Sequence, residues 1–268
     1  MQQLSNKFKV IEESYNKINS WYEAYASEFS SEDNEIQINI DLVKAHTARV
    51  VENVNELGSS IDIEESDLFL IRIAALLHDI GRFVQLVEHD TYADTPDSNH
   101  IQIGLRVIEE HEVLNGLEDA EKALIIDCVK MHDLNILPKI SDERSFTLIH
   151  LLRDADRIDV LRIVSDYYTH KKVHPNRHLD MELKDLPGIA KKISKDIMAE
   201  KVANREDVET LNDLKLFQMS WIFDIKYKRS FKMVSEKSYI KAIFETLPKS
   251  DVVIDMYRNM KIFMENQL

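Results

Sequence analysis

The sequence has few residues that make tight turns. Its 268 residues include five glycines and five prolines. A β-sandwich or a β-barrel joins many short strands through turns, and those turns draw heavily on both residue types. Their scarcity favours long, uninterrupted helices, and we therefore predict an all-α fold.

Cysteine and clustered positive charge are also scarce. Cys128 is the one cysteine, so a disulfide framework is excluded, and its apolar neighbours at 124–126 predict a small buried residue rather than a nucleophile. The formal net charge is -14. Surfaces that attract nucleic acid or anionic membranes need clustered Lys and Arg, so we expect neither as a partner.

The sequence pattern lacks a targeting signal and a membrane-spanning segment. The first seven residues have no apolar stretch of the kind found in signal peptides. The most apolar run, 68–77, contains Arg72 and is too short to cross a bilayer. We therefore predict a cytoplasmic protein. Apolar residues make up 44% of the chain and charged residues 31%, which is typical of a folded protein rather than a disordered one.

Apolar residues recur three and four positions apart along much of the chain, which is the spacing of one helix face. We predict that the opening helix packs on its own bundle rather than forming a coiled-coil seam with a second subunit. Its stripe consists of Leu4, Phe8, Ile11, Tyr15, Ile18, Tyr22, Tyr25 and Phe29. Later helices are predicted at 41–58, 67–79, 118–131, 189–203, 208–227 and 252–264.

Two helix starts and one domain boundary are also predicted. Asp41 is the expected N-cap of the second helix, and Ser98 is the expected cap after a polar loop at 88–99. The pattern changes character after Pro175. Residues 1–175 are predicted to form one helical domain that includes the opening helix, and residues 176–268 a C-terminal helical extension packed on the same domain.

Two adjacent side chains with metal-binding chemistry end the most apolar helix. His78 and Asp79 follow the apolar run directly, and an ionised carboxylate in such a place is costly unless it is paired or coordinated. A buried arginine could serve as the partner. Further candidate ligands at helix faces and ends strengthen the case for a metal site. They are His46, His100, His132 and Asp156.

The order of these residues resembles that of the HD-domain superfamily of metal-dependent phosphohydrolases, which are all-helical proteins that hydrolyse phosphoester bonds. The resemblance covers about 40–166 and rests on His46, on His78-Asp79 and on Asp156 within Asp154-Ala155-Asp156-Arg157. His100 followed by Gly104, and His132 ahead of a Leu-Pro turn, resemble the two extra histidines of dinuclear members such as the HD-GYP phosphodiesterases. The resemblance implies an HD-type helical bundle with N-terminal and C-terminal helical extensions, and makes 1–175 the metal-binding domain.

The resemblance also implies a ligand set. One metal ion would be held by His46, His78, Asp79 and Asp156, and the other by His100 and His132, with Asp79 bridging the two. Imidazole and carboxylate donors without thiolate suit Mn, Fe, Zn or Ni, whereas four histidines argue against Mg. Two such divalent ions lower the pKa of a water between them and stabilise charge on phosphoryl oxygens. Asp79 is therefore predicted to be catalytic, and no separate protein nucleophile is required.

Arg82 and Asp133 extend the predicted site. Arg82 stands where the HD-GYP motif has Lys, and its planar donor fork suits a substrate phosphate, although an ordinary surface arginine is the alternative. Asp133 stands where that family has a second histidine. It is a candidate for an extra oxygen ligand, for a hydrogen-bond partner behind a ligand, or for a helix cap. No Gly-Tyr-Pro segment follows, so cleavage of cyclic dinucleotides does not carry over.

The resulting functional prediction is a metal-dependent phosphohydrolase acting on a small phosphorylated metabolite, with a nucleotide as the leading candidate. Two alternatives remain open. Inositol-oxygenase-like relatives hold two irons with the same six ligand types, and a catalytically silent nucleotide-sensing module would keep the metals without turnover. A second metal site at His170, His174 and His178 is disfavoured, because Pro175 interrupts the helix and basic residues surround it.

Overall fold

The computed structural model describes residues 2–268, with side chains from residue 7 onward. Over these residues the protein has two short 3-10 helices, Arg205–Asp207 and Trp221–Asp224, and no β-strand. The all-α prediction is therefore confirmed. The α-helices are α1 (Gln2–Ser27), α2 (Asn34–Gly58), α3 (Glu65–Leu77), α4 (Gly81–His89), α5 (His100–Glu110), α6 (Asp119–Met131), α7 (Glu143–His170), α8 (Lys191–Met198), α9 (Leu211–Ser220), α10 (Lys228–Glu236), α11 (Tyr239–Glu245) and α12 (Asp251–Gln267).

The chain divides into two compact units, one ending at Asp156 and one beginning at Arg157. This division falls inside α7. The domain boundary predicted from the sequence, between 175 and 176, follows the end of that helix and stays a prediction.

α3 lies at the centre of the first unit. Every residue from Leu70 to Leu77 except Arg72 is buried, because a helix that is apolar on most sides must be covered on most sides. It packs against α1, α2 and α6. The chain leaves this core at His78, the C-cap residue of α3, so the central helix delivers His78 and Asp79 to one place at its end.

The opening helix packs on α3, as predicted. The rings of Phe8 and Tyr15 have their centroids 5.7 and 5.5 Å from that of Phe69 in α3. Ile11 and Ile18 on the same stripe are buried. The side chain of Leu4, which the sequence assigned to this stripe, lies outside the described residues.

The prediction that α2 starts at Asp41 is wrong. The helix begins at Asn34, and its N-cap is Asp33, whose carboxylate accepts hydrogen bonds from the backbone N–H groups of Glu35 and Ile36. Asp41 lies exposed inside the helix. Either aspartate could cap a helix, but Ile40 is fully buried and extends the apolar stripe toward the earlier one.

The loop predicted at 88–99 is shorter at its start, because the unpredicted helix α4 extends to His89. The cap of α5 also differs by one residue from the prediction. Asn99, not Ser98, is the N-cap, and its side chain accepts a hydrogen bond from the backbone N–H of Gln102. His100 is consequently the first residue of α5.

The second unit contains more and shorter helices than the sequence predicted. α9 starts at a capping box between Thr210 and Asp213 and ends at Ser220, after which the backbone tightens into the 3-10 helix Trp221–Asp224. The sequence predicted one helix over 208–227 there. α10 and α11 were not predicted. α12 agrees with its prediction and packs on α8.

Among the described residues, none of the helices combines the length and the apolar character that crossing a bilayer requires.

Candidate metal centre

Five helices of the first unit direct imidazole and carboxylate groups to one point. His46 comes from the middle of α2, and His78 and Asp79 follow the end of α3. His100 begins α5, His132 follows the end of α6, and Asp156 lies within α7. The four histidines are buried. The structure thus brings together all six side chains that the sequence singled out as metal ligands.

The first donor group consists of His46, His78 and Asp156. The Nε2 atom of His46 lies 3.2 Å from Nε2 of His78 and 3.2 Å from Oδ1 of Asp156. The Oδ2 atom of Asp79 completes this group at 3.7 Å from His46 Nε2 and 3.8 Å from His78 Nε2. Four donor atoms therefore surround one position.

The second donor group consists of His100 and His132 together with the other oxygen of Asp79. The two Nε2 atoms of His100 and His132 are 3.4 Å apart. Oδ1 of Asp79 lies 3.5 Å from the former and 3.7 Å from the latter. Asp79 is thus shared, with one oxygen facing each donor group.

The bridging oxygen is an unsatisfied polar atom. Oδ1 of Asp79 is buried and makes no hydrogen bond within the part of the chain that the structure describes. Burial opposes its ionisation, yet the neighbouring His78 and Arg82 hold the pKa of the carboxyl well below its usual range. A buried, charged oxygen without a hydrogen bond is expensive. The Nε of Arg82 at 3.4 Å offsets part of that cost, and a cation at the second donor group would offset more of it.

Hydrogen bonds on the far side of the rings fix how the imidazoles point. Nδ1 of His78 donates to the carbonyl of Ala75 at 2.7 Å, and Nδ1 of His132 donates to the carbonyl of Val129 at 2.8 Å. The proton on Nδ1 leaves the Nε2 lone pair facing the centre, which is the tautomer that binds metals. Burial lowers the pKa of His78 to about 4, so its ring is neutral at pH 7.

The donor set fits divalent transition metals. Nitrogen and oxygen donors about 2.0–2.2 Å from one ion stand roughly 3–3.5 Å from each other, and the closest donor pairs here are separated by 3.2 to 3.5 Å. Nε2 lone pairs that face each other without a shared proton repel, and a cation between them turns that repulsion into coordination. Four imidazoles with two carboxylates suit Mn, Fe, Zn or Ni.

Two glycines bring the helices that carry these donors into close contact. A Cβ atom at Gly81, the first residue of α4, would lie 2.1 Å from the carbonyl oxygen of His100 and 2.6 Å from the backbone nitrogen of Gly104. Only a residue without a side chain permits this approach. It sets the start of α5, and with it His100, beside the end of α3.

Arg82 is a mostly buried neighbour of the bridging carboxylate and not a surface residue. Its Nε lies 3.4 Å from Oδ1 of Asp79, and its Nη1 donates to Oε1 of Gln85 at 2.7 Å and to the carbonyl of Tyr92 at 2.9 Å. Burial alone would lower the pKa of Arg82, but the carboxylates of Asp79 and Asp94 raise it. Nη2 makes no hydrogen bond to any described residue.

Sequence reasoning missed Asp94, which stands behind His100. Its carboxylate accepts from Nδ1 of His100 at 2.8 Å and from the backbone N–H of the same residue at 3.0 Å. The only signal in the sequence is an acidic residue six positions ahead of a candidate ligand. Asp133 lies close to both, since one donor atom from each of Asp94, His100 and Asp133 falls within 4.8 Å of the others.

Residues outside the centre have ordinary environments. His170 is exposed whereas His178 is buried, and no metal-binding group forms around them among the described residues. Cys128 is buried, and burial raises the pKa of its thiol. The prediction that this cysteine is a small core residue is confirmed.

Comparison with known proteins gives one match. Residues 43–165 match the family model described as HD domain. The matched segment includes His46 at one end and Asp156 at the other, and therefore all six donor residues. No curated protein and no solved structure matches the chain.

Proposed function

Because residues 43–165 match the HD-domain family model, we propose that the chain is a metal-dependent phosphohydrolase that hydrolyses a phosphoester bond of a small phosphorylated metabolite, with nucleotides as the first class to test. HD domains bind divalent metal ions. We propose further that this one holds two, drawn from Mn, Fe, Zn and Ni, in its two donor groups.

One observation carries the proposal, namely the position of Asp79 between the donor groups. Each of its two oxygens faces a different set of imidazoles, and Oδ1 makes no hydrogen bond, with the Nε of Arg82 3.4 Å away as its ion-pair partner. A carboxylate that joins two cation positions suits two-metal hydrolysis, in which two ions stand about 3.5–4 Å apart. A single structural ion would need neither the second pair of histidines nor a carboxylate shared between two donor groups.

The residues of the site would have the following roles in hydrolysis. When bound, two divalent ions lower the pKa of a water between them and offset charge on the phosphoryl oxygens. The neutral ring of His78 and the ionised carboxylate of Asp156 supply donors without any proton to be displaced from His78 near pH 7. Asp79 fixes the spacing of the two positions.

Arg82 is the proposed contact for the substrate phosphate. Its Nε and Nη1 are held by Asp79, Gln85 and Tyr92, so the plane of the guanidinium is fixed beside the bridging carboxylate. Nη2 is left to donate to a phosphoryl oxygen. A guanidinium that is already oriented loses little side-chain entropy when it binds an anion.

A substrate screen with matched variants tests the proposal. Protein loaded with Mn, Fe, Zn or Ni is incubated with a panel of nucleotides and phosphate esters, and release of phosphate is measured. We expect turnover that is abolished in His78→Ala and Asp79→Ala and kept in Asp97→Ala, since Asp97 is an exposed acid in the loop ahead of α5. Turnover that survives both ligand substitutions would come from a contaminant and would contradict the proposal.

The same screen under anaerobic conditions separates hydrolysis from oxygen chemistry. Hydrolysis needs water and metal alone, so we expect equal rates with and without oxygen. Turnover that requires oxygen would favour the diiron oxygenase alternative. Two bound ions with no turnover across the panel would favour a silent sensing module.

A further inference from the structure

We propose that Asp94 is a positioning residue that makes the second donor group competent to bind its ion. The inference rests on the proposed two-ion site and adds a role for the loop between α4 and α5. Asp94 does not face the donor centre itself. It acts through His100, whose far ring nitrogen it holds.

The histidines of the centre need different partners because they occupy different ends of helices. His78 and His132 each follow the last turn of a helix, so each ring can donate from Nδ1 to the carbonyl three residues earlier. His100 is the first residue of α5. The residue three positions before it is Asp97 in the loop, so no helical carbonyl stands behind its ring, and a side chain must take that place.

Asp94 fills this place with more than one bond. Both of its oxygens lie close to Nδ1 of His100, at 2.8 and 2.9 Å, and Oδ1 also accepts from the backbone N–H of His100 at 3.0 Å. The ring is therefore fixed relative to its own backbone. Its Nε2 is then directed at Oδ1 of Asp79 and Nε2 of His132.

Asp94 is itself held by a buried amide. Nε2 of Gln85 in α4 donates to Oδ1 of Asp94 at 3.0 Å and also to the carbonyl of Ser98. The side chain of Gln85 is fully buried, and its Oε1 accepts from Nη1 of Arg82. One amide thus joins Arg82, the loop and the carboxylate behind His100.

This contact is charged, unlike its counterparts at His78 and His132. A carboxylate that accepts the Nδ1 proton makes the opposite nitrogen a stronger donor to a cation than a neutral carbonyl does, and loss of such partners weakens metal binding by about 10- to 100-fold. We expect loss of Asp94 to lower the affinity for the cation at the second donor group. Asp94 bonds to His100, Gln85 and Arg82, and His100 belongs to the second donor group.

These contacts also exclude a separate ion between Asp94, His100 and Asp133, although their donor atoms lie within 4.8 Å. Such an ion would need the lone pair of Nδ1 on His100. That nitrogen carries the proton donated to Asp94. In addition, Nη1 of Arg82 lies 3.6 Å from Oδ1 of Asp94 and already balances the charge of this carboxylate. The group therefore orients a ligand rather than binding a third cation.

The test follows the two ions separately in Asp94→Asn and Asp94→Ala. Metal-free full-length protein is titrated with Mn²⁺ by calorimetry, and paramagnetic resonance distinguishes a spin-coupled pair of ions from a single one. Asp97→Asn is the matched control, because it removes an exposed acid from the same loop. We expect wild type and Asp97→Asn to bind two ions with a coupled signal.

For the Asp94 variants we expect the second, weaker binding event to lose affinity by about 10- to 100-fold while the first is unchanged. Asp94→Asn keeps a hydrogen-bond acceptor and should lose less than Asp94→Ala. Unchanged affinity for both ions, or an equal loss for both, would overturn the role of Asp94 and leave the two-ion site intact. Fewer than two ions in the wild type would overturn the two-ion site and this inference with it.

Discussion

His46 and Asp156 lie in the middle of long helices, whereas His100 is the first residue of a helix that follows an irregular loop. The first donor group therefore takes its geometry from the packing of α2, α3 and α7 in the core of the first unit. The second depends on a loop carboxylate, on the start of α5 and on the residue after α6.

This difference predicts an order of strength. Core helices hold their side chains in fixed positions, whereas local unfolding of a loop costs less free energy. The first donor group should bind its ion more tightly and keep it longer. The second should respond most to changes at Asp94, Gln85 and Gly81, none of which is itself a ligand.

The largest expected effect comes from the residue that the two groups share. Asp79→Ala removes a donor from both, so we expect loss of both ions and a fall in turnover of roughly 10³-fold or more, since metal stabilisation of charge is worth several kcal/mol. Elemental analysis and phosphate release measure the two effects. Asp97→Ala should behave like wild type. A variant that keeps one ion with full affinity would show that Asp79 does not bridge.

Removal of metal should destabilise the protein in two steps. A ligand present at 100 times its Kd stabilises the folded state by about 2.7 kcal/mol. Stepwise chelation followed by thermal melting should therefore first lower Tm as the weaker ion leaves, and lower it again as the tighter ion leaves. A single step in the wild type would contradict the difference between the groups. Asp94→Ala should show only the later step at low metal concentration.

Gly81→Ala should weaken the second donor group without removing any ligand. The new Cβ would overlap the carbonyl oxygen of His100 at 2.1 Å, so the start of α5 must move. Overpacking of this kind costs about 1–3 kcal/mol, and denaturant unfolding measures it. Gly58→Ala is the matched control, because the atom closest to its Cβ would be the flexible end of Leu68, at 2.7 Å, rather than backbone. Equal losses of stability in the two variants would show that the contact at Gly81 is not critical.

The smallest expected effect is a pH dependence of the free energy of unfolding that arises from the burial of His78. Its pKa is lowered from 6.5 to about 4 in the folded protein, so the stability it contributes is present above pH 6.5 and is lost as the pH falls toward 4. Between pH 7.5 and 5.5 the metal-free protein should lose about 1 kcal/mol from this group.

Comparison of His78→Gln with wild type isolates that contribution, and denaturant unfolding at both pH values measures it. The exposed His89 supplies the control variant His89→Gln, which should keep the wild-type dependence on pH. If the pH dependence of His78→Gln matched that of wild type, His78 would not be held neutral by burial.

Two signals in the sequence singled out the donors. Burial of polar groups marked some of them, as with His46 on the inward face of α2, and the resemblance to the HD-domain superfamily implied the full ligand set, including His100 and His132. The adjacent pair His78-Asp79 follows the most apolar helix in the chain. The physics of burial therefore pointed to His46 and to His78-Asp79 before any distance was known.

The partners behind the donors could not be chosen in this way. Asp94 lies in a polar loop, where an acidic residue is expected in any case, and no spacing rule connects it with His100. α4 was missed because it is short and its start lacks a side-chain cap. The wrong start of α2 has a similar cause, since Asp33 and Asp41 have equal capping chemistry and only tertiary burial of Ile40 separates them.

The most direct test of the central claim is a diffraction experiment on crystals loaded with Mn²⁺, recorded near the manganese absorption edge. The account predicts two anomalous peaks about 3.5–4 Å apart, one on each side of Asp79, and loss of the peak beside His100 alone in His132→Ala. A single peak in the wild type, or peaks away from Asp79, would contradict it.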